Sequence, residues 1–282
     1  MDWSRSKTIF IFVFLILDVF LFSLYLNRHI EAQQVKVSGG NTIEARLKED
    51  RITYNLLPTI ETAPYISAKV MDFNKENLQL KNYQQITIEN NNKLIVTLKE
   101  PVKLRNVKEK SSFNEFVKNN VYNGSSYTIW KIDEEERKAI FFQNFDDKTI
   151  YYNVNGIVTI YWNEDLEVTK YEQTMLRDFE KFEEEENLLP PQQIIQILYA
   201  RDLIKPNSHI AEIKLGYSTL VQLTQTQVFV PTWKVRIIPA DGEEEELFVN
   251  AVDGKMIDVQ SDLTVDVDET DELEQLKEIE EE

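Results

Sequence analysis

Residue types that carry out catalysis or bind cofactors are few in this sequence and poorly spaced. The 282 residues include two histidines, seven glycines and no cysteine. His29 and His209 lie far apart, and neither fits the HExxH spacing of a zinc protease. No three glycines are close enough to cradle a phosphate, and the missing cysteine excludes a thiolate nucleophile or a cysteine-ligated zinc. The residues predict no catalytic site, no cofactor and no metal site.

Carboxylates are abundant, but their spacing favours surface charge over chemistry. Asp266 and Asp268 resemble the start of a calcium-binding EF-hand loop, yet Asp271 stands where glycine is needed and Lys277 where glutamate is needed. The runs Glu183–Glu186 and Glu243–Glu246 are typical of a solvated linker and a hairpin turn. Paired carboxylates for glycoside hydrolysis remain the alternative among so many acids.

The net charge indicates which partners to exclude. Forty-nine acidic residues against 31 basic ones give −18 at pH 7, which disfavours nucleic acid as a partner. Residues 262–282 hold eleven acids and one lysine, a formal charge of −10. We therefore expect residues 261–282 to form an acidic disordered tail.

An apolar run near the N-terminus predicts a membrane anchor. From Ile9 to Leu26, only Asp18 and Ser23 are neither apolar nor aromatic. Eighteen helical residues span about 27 Å, close to the thickness of the bilayer hydrocarbon. No cleavage site of a signal peptide follows, so we expect a transmembrane helix over residues 9–26 in contact with membrane lipid.

The charges beside this run predict its orientation. Arg5, Lys7 and the terminal amine precede it, partly offset by Asp2, which favours a cytoplasmic N-terminus over residues 1–8. No second apolar run is as long. The protein is thus expected to be single-pass in the cell membrane, with its C-terminal domains extracellular.

Asp18 is the unusual residue of the run, because a carboxyl group near the bilayer centre is costly unless it is protonated or partnered. One interpretation is a polar contact with another transmembrane helix, and the other is that a single protonated Asp is tolerated. Helical spacing gives Asp18 an apolar partner-binding face. The predicted face comprises Ile11, Phe14, Leu15, Asp18, Leu21, Phe22 and Tyr25.

Beyond the anchor, periodicity and turn residues predict an α+β fold of two units. A polar tether over 27–41 precedes a first extracellular unit over 42–171, with helices at 42–54 and 112–121 and a series of strands. An acidic linker over 172–189, entered by a helix over 174–181, leads to a second unit over 190–260. That unit begins with a helix over 192–203, started by Pro190-Pro191, and continues as strands.

The two units are predicted to be related helix-plus-antiparallel-sheet structures. The segment from Tyr151 to Ile157 matches the segment from Phe248 to Lys255 with one inserted residue. Each carries Asn-Gly or Asp-Gly, a strong hairpin signal. Trp233 lies on an alternating strand and is interpreted as a core aromatic, with a ligand-facing role as the alternative.

The N-terminal sequence Met1-Asp2-Trp3-Ser4-Arg5-Ser6-Lys7-Thr8-Ile9-Phe10, followed by Leu17-Asp18, resembles the start of the YycI (WalI) family. The second unit, with Pro231 to Val235 and Phe248 to Gly254, also looks like the strand and turn pattern of PepSY-type modules.

The resemblance to YycI implies a regulatory role and no reaction. It implies a non-enzymatic, membrane-anchored protein that associates with a YycH-like protein and with a YycG (WalK) sensor histidine kinase governing cell-wall homeostasis. Contacts would run through the transmembrane helix and the extracellular units. Family members are linked to both repression and activation, so the resemblance implies no sign. The alternative function is a membrane-tethered extracellular enzyme or inhibitor acting on cell-wall polymers.

Overall fold

The computed structural model describes residues 13–22, 43–75, 78, 84–222 and 225–258. The predicted tail over 261–282 lies outside these residues. The helices are α1 (13–22), α2 (Ile43–Glu49), α3 (Lys110–Asn120) and α4 (Pro191–Ala200). The first strands are β1 (Thr53–Tyr54), β2 (Thr62–Val70), β3 (Gln84–Glu89), β4 (Lys93–Lys103), β5 (Tyr127–Asp133), β6 (Lys138–Phe145) and β7 (Lys148–Tyr151). The later strands are β8 (Ile157–Trp162), β9 (Glu167–Gln173), β10 (Leu176–Asn187), β11 (His209–Gln222), β12 (Thr226–Ile238) and β13 (Glu245–Asn250).

The strands form one large mixed sheet, and the fold class is α+β as the sequence predicts. Its hydrogen-bonded order is β10-β2-β12-β11-β7-β6-β8-β9-β4-β3, with β1 beside β11, β13 beside β12 and β5 beside β6. β1 and β7 run parallel to β11. The other strand pairs in the described part are antiparallel.

Local sequence explains the regular elements well. In β8, the side chains alternate between half-buried and buried positions, which is the period of two of a strand. α3 buries Phe113, Phe116 and Val117 at helical spacing. Pro191 opens α4, where the missing proline N–H costs no hydrogen bond.

α2 ends earlier than the predicted helix over 42–54, because the chain closes it with a Schellman motif. Arg51 is left-handed with φ of 56°. The Ile52 N–H donates to the Leu47 carbonyl at 2.8 Å, and the Arg51 N–H donates to the Lys48 carbonyl at 3.2 Å. Ile52 and Leu47 share one hydrophobic core, the apolar contact that accompanies this motif.

Two main hydrophobic cores lie beneath the helices, and a smaller core is separate from them. The first packs α3 against β4, β5, β6, β8 and β9 around Phe113, Phe141 and Tyr171. The second packs α2 and α4 against β11, β12 and β13 around Trp233. The small core consists of Ile66, Ala68, Ile150, Leu176, Tyr217 and Phe229, from β2, β7, β10, β11 and β12.

Residues 176–187 form a strand, so the predicted helix over 174–181 is wrong and most of the predicted linker over 172–189 is β10. β2 supplies the backbone partners, with Leu176 opposite Val70 and Asn187 opposite Thr62. The side chain of Gln143 extends this pairing, because its amide both donates to the Leu176 carbonyl and accepts from the Leu176 N–H, each at 2.8 Å. Tertiary hydrogen bonds thus override the local acidic composition.

The two matched segments make similar turns, and the second turn is one residue longer than the first. The Asn153 Oδ1 accepts from the Asn155 N–H at 3.0 Å, and the Asn250 Oδ1 accepts from the Val252 N–H at 2.9 Å. Each asparagine carbonyl also accepts from the following glycine N–H at 2.9 Å. These are Asx turns, in which the side chain mimics a backbone turn. They support the predicted relationship of the two units, which stays a prediction.

Candidate functional site

α1 contains most of the face for which the sequence predicts partner binding, a role that stays a prediction. Phe14, Leu15, Asp18, Leu21 and Phe22 fall within about a third of the helix circumference, because their spacing of three and four residues returns to one face. The predicted residues Ile11 and Tyr25 lie outside the described residues. The structure therefore brings five of the seven predicted residues together on one helix.

The side chains of α1 are exposed on every face. Nine of its ten residues are large and apolar, with 46–65% of their surface exposed, and Asp18 is the tenth. A helix that is apolar all round is typical of a segment surrounded by lipid or by other protein.

No helix within the described ranges is long and apolar enough to cross a membrane. The predicted span over 9–26 extends beyond both ends of α1, into residues 1–12 and 23–42 that the structure does not describe.

A second candidate feature, largely buried, lies where the first unit meets the second. Five rings pack together in what we call the aromatic junction, and Trp130 contacts each of the other four at centroid distances between 4.9 and 6.3 Å. Its indole N–H donates to the Tyr152 hydroxyl at 3.2 Å. The junction consists of Trp130, Phe142, Tyr151, Tyr152 and Phe248.

No sequence pattern predicts the whole junction, although a signal for part of it exists. Tyr151 and Phe248 hold matching positions in the two similar segments, and their ring centroids lie 5.0 Å apart. Nothing in the local sequence marks Trp130, which lies at an irregularity of β5 between Ile129 and Lys131. Irregular residues of this kind turn a side chain toward a new neighbour.

Lys234 caps the aromatic junction with a largely buried charge. Its Nζ lies 4.9 Å from the centre of the Trp130 ring, 2.9 Å from the Glu212 Oε2 and 3.5 Å from the Glu246 Oε1. The side chain is only 10% exposed. Because β11, β12 and β13 supply the three charged groups and β5 supplies the ring, this cluster fixes the first unit against the second.

Burial and the neighbouring charges shift the pKa values of Glu212 and Tyr151 at the junction. Burial opposes the charged form of Glu212, but the hydrogen bond and positive charge of Lys234 outweigh it, so the pKa of Glu212 is lowered. Burial raises the pKa of Tyr151, and the carboxylates of Glu212 and Glu246 add to that rise. The Tyr151 hydroxyl is buried without a hydrogen-bond partner in the described part of the chain.

The other residues discussed from sequence have structural places. Trp233 is fully buried and donates to the Leu189 carbonyl at 2.9 Å, which confirms its interpretation as a core aromatic. His209 shares a 2.8 Å hydrogen bond with Thr53. Glu183–Glu186 lie along β10, mostly exposed. The described residues contain no group of three or more acids or histidines that could hold a metal ion.

Comparison with known protein families identifies the family of this chain. A model of the YycI protein family matches residues 31–252, most of the chain. The chain belongs to the YycI family. The YycI match contains every element from α2 to β13, including the aromatic junction, whereas α1 precedes it.

YycI proteins form a membrane-associated regulatory family connected with the YycG (WalK) histidine kinase system. Among curated proteins, none matches this chain. A crystal structure at 1.45 Å resolution of an uncharacterized protein from Eubacterium rectale ATCC 33656 is similar, with 11% identity and a TM-score of 0.46. That similarity covers 75% of this chain and 92% of the other.

Proposed function

We propose that this chain is a non-enzymatic, membrane-anchored protein that modulates a YycG (WalK) sensor histidine kinase in cell-wall homeostasis. Membership of the YycI family over residues 31–252 is the observation that carries the proposal. In this proposal residues 9–26 cross the membrane once, with the N-terminus cytoplasmic and the sheet extracellular. The uniformly exposed apolar side chains of α1 support it, because such a surface is stable only in lipid or against protein.

The proposed kinase contact is the face of α1 that contains Asp18. A carboxyl group in hydrocarbon is stabilised by a polar partner on a neighbouring helix, while Phe14 and Phe22 pack beside it. The extracellular units would bind a YycH-like protein. The Lys234 cluster and the aromatic junction hold the two units together. The two units would therefore move as one body and transmit the contact with the YycH-like protein to the anchor.

Copurification from membranes tests the helix contact. We expect Asp18→Leu to reduce the amount of kinase recovered with the full chain several-fold, and the triple variant Phe14→Leu, Leu21→Phe, Phe22→Leu to act similarly. The control is the opposite face, with Val13→Leu, Ile16→Leu and Phe20→Leu, which keeps Asp18 and the apolar character. Full kinase recovery with both test variants would contradict a contact through this face.

An anchor exchange separates the two proposed partners. Residues 9–26 are replaced by an unrelated transmembrane span that contains no acid, and the rest of the chain is kept. We expect kinase recovery to fall while recovery of a YycH-like protein persists, because that contact is assigned to the extracellular units. Loss of both, with the chain still folded in the membrane fraction, would show that the anchor serves both contacts.

A further inference from the structure

A pocket of about 270 Å³ lies at one end of the first unit. It is framed by the turn between β5 and β6, the turn between β8 and β9, and the connection from β4 to α3. Pairing of β6 with β8 brings the two turns together, and the Trp162 N–H donates to the Arg137 carbonyl at 3.2 Å. Its lining includes Val107, Glu134, Arg137, Trp162, Glu164 and Leu166.

Trp162 lines this pocket and carries a hydrogen-bond donor, its indole N–H. The residue is only 6% exposed, and its ring packs on Phe113 of α3 with centroids 5.1 Å apart. No described residue accepts a hydrogen bond from its indole N–H, and this nitrogen is not one of the buried side-chain atoms that lack a partner. Because Trp162 lines the pocket, its indole N–H is available to an acceptor atom of a bound molecule.

Charges of both signs surround the same space. The Arg137 Nη2 lies 2.8 Å from the Glu164 Oε1, in an ion pair whose side chains are 45% and 81% exposed. Such an exposed pair contributes little stability, so the guanidinium can exchange Glu164 for the carboxylate of a ligand. The Glu134 carboxylate has no hydrogen-bond or ion-pair partner within the described ranges. Val107 and Leu166 provide apolar walls.

The backbone at the pocket is strained on both turns. Arg137 and Leu166 have φ of 50° and 61°, a left-handed conformation that costs energy for residues with a Cβ. The Leu104 N–H holds Leu166 in place by donating to its carbonyl at 3.0 Å. Left-handed residues also occur at other turns of the described chain, so these two define the local shape of the pocket without identifying a ligand by themselves.

We propose that this pocket binds a small zwitterion, namely a free amino acid or a dipeptide. The carboxylate of the ligand accepts from Arg137 and from the Trp162 indole N–H, and its ammonium pairs with Glu134. The aliphatic part lies against Val107 and Leu166. The volume of about 270 Å³ lies just below the range of about 300–1,000 Å³ for pockets of drug-sized ligands, which suits a smaller molecule.

NMR of the indole N–H groups tests this proposal. The full chain is labelled with ¹⁵N-tryptophan and held in detergent micelles. The probes are L-alanine, D-alanine and L-alanyl-L-alanine, each at millimolar concentration. Trp162→Phe assigns the Trp162 signal. We expect a saturable shift of that signal with at least one zwitterion and none of the Trp233 signal. No shift with any of the three would overturn the proposal.

Matched probes and variants test which charged groups of the ligand the pocket recognises. Alaninamide lacks the carboxylate, N-acetylalanine lacks the ammonium, and glucose is neutral, so each should bind at least about tenfold more weakly. Arg137→Gln and Glu134→Gln should weaken zwitterion binding to a similar extent. Arg236→Gln is the control, because Arg236 forms a comparable pair with Glu244 at 3.1 Å in the other unit.

Equal binding of glucose, or equal binding by the Arg137→Gln variant, would refute a zwitterion site. The measurement uses no kinase, so its failure leaves the proposed kinase regulation standing. Conversely, loss of kinase association in the α1 variants leaves this site untouched.

Discussion

Gly216 lies where the chain leaves no room for a side chain. A Cβ built on it would lie 2.4 Å from the Tyr151 Cε2 and 2.5 Å from the Thr149 carbonyl oxygen. β11 and β7 run side by side here, and the ring of Tyr151 crosses over Gly216. The glycine therefore permits the parallel pairing that joins the two units.

We expect Gly216→Ala to lower the free energy of unfolding by about 1–3 kcal/mol, because Tyr151 and β7 must move. Gly156→Ala is the control, since its nearest contacts would be ordinary ones at 3.4 Å, and it should stay within about 1 kcal/mol of the wild type. Denaturant unfolding of the full chain measures both. Equal stability of the two variants would contradict a tight approach at Gly216.

The ion pairs of Lys234 should make the stability of the protein depend on pH. In Lys234→Met the apolar stem remains but Glu212 and Glu246 lose their cation, and Trp130 loses the charge over its ring. Because the Glu212 side chain is 41% exposed, solvent screening limits the expected decrease in the free energy of unfolding to about 1 kcal/mol at neutral pH. Lys69→Met is the control, since Lys69 pairs with Asp178 at 3.7 Å with both side chains about half exposed.

The sign of the pH dependence follows from the lowered pKa of Glu212. A lowered pKa stabilises the folded state above the ordinary pKa of a glutamate, and this stabilisation is lost as the pH falls through the pKa of Glu212. The difference between the wild type and Lys234→Met should therefore be largest at neutral pH and shrink in acid. Unfolding curves collected across the acid range check this, and a difference that grows in acid would contradict it.

At the scale of elements, β10 shows how a tertiary contact defines a strand. The amide of Gln143 is buried and holds the first residue of β10 as a neighbouring strand would. In Gln143→Leu the buried N–H and carbonyl of Leu176 lose these hydrogen-bond partners. The free energy of unfolding should fall by about 1–3 kcal/mol as a result.

Hydrogen–deuterium exchange checks the Gln143→Leu variant directly. Exchange over residues 176–187 should accelerate, while exchange over β8 and β9 stays unchanged. Gln85→Leu is the matched control, because Gln85 is exposed on β3. Equal protection of β10 in both variants would mean that pairing with β2 is sufficient.

The same element shows what the sequence could predict. β8, α3 and α4 were predictable because their apolar residues follow one period and their ends carry turn residues or proline. β10 was not, since its acidic residues resemble a linker until β2 and Gln143 supply partners. The shared face on α1 follows from helical spacing, while its partner-binding role stays a prediction. The aromatic junction combines residues that are distant in sequence, and no single local pattern predicts it.

At the scale of the molecule, the sheet joins the two predicted units. α2, β1 and β2 precede the first core in sequence, yet β1 pairs with β11, and β2 pairs with β12 and β10. Ile43, Leu47, Ile52 and Ala63 are buried in the second core. The second unit thus obtains part of its core from the N-terminal end of the folded region.

We therefore expect the isolated segment 190–260 not to fold. It lacks Ile43, Leu47 and Ile52, whose burial contributes about 1.5–3 kcal/mol each, a sum comparable with the whole stability of a small domain. The longer segment 42–260 retains them and should unfold in one transition. Far-UV circular dichroism and denaturant unfolding of both segments measure this. Cooperative unfolding of 190–260 alone would show that the second core is complete without α2, β1 and β2, and that the shared sheet joins two units that are each stable by themselves.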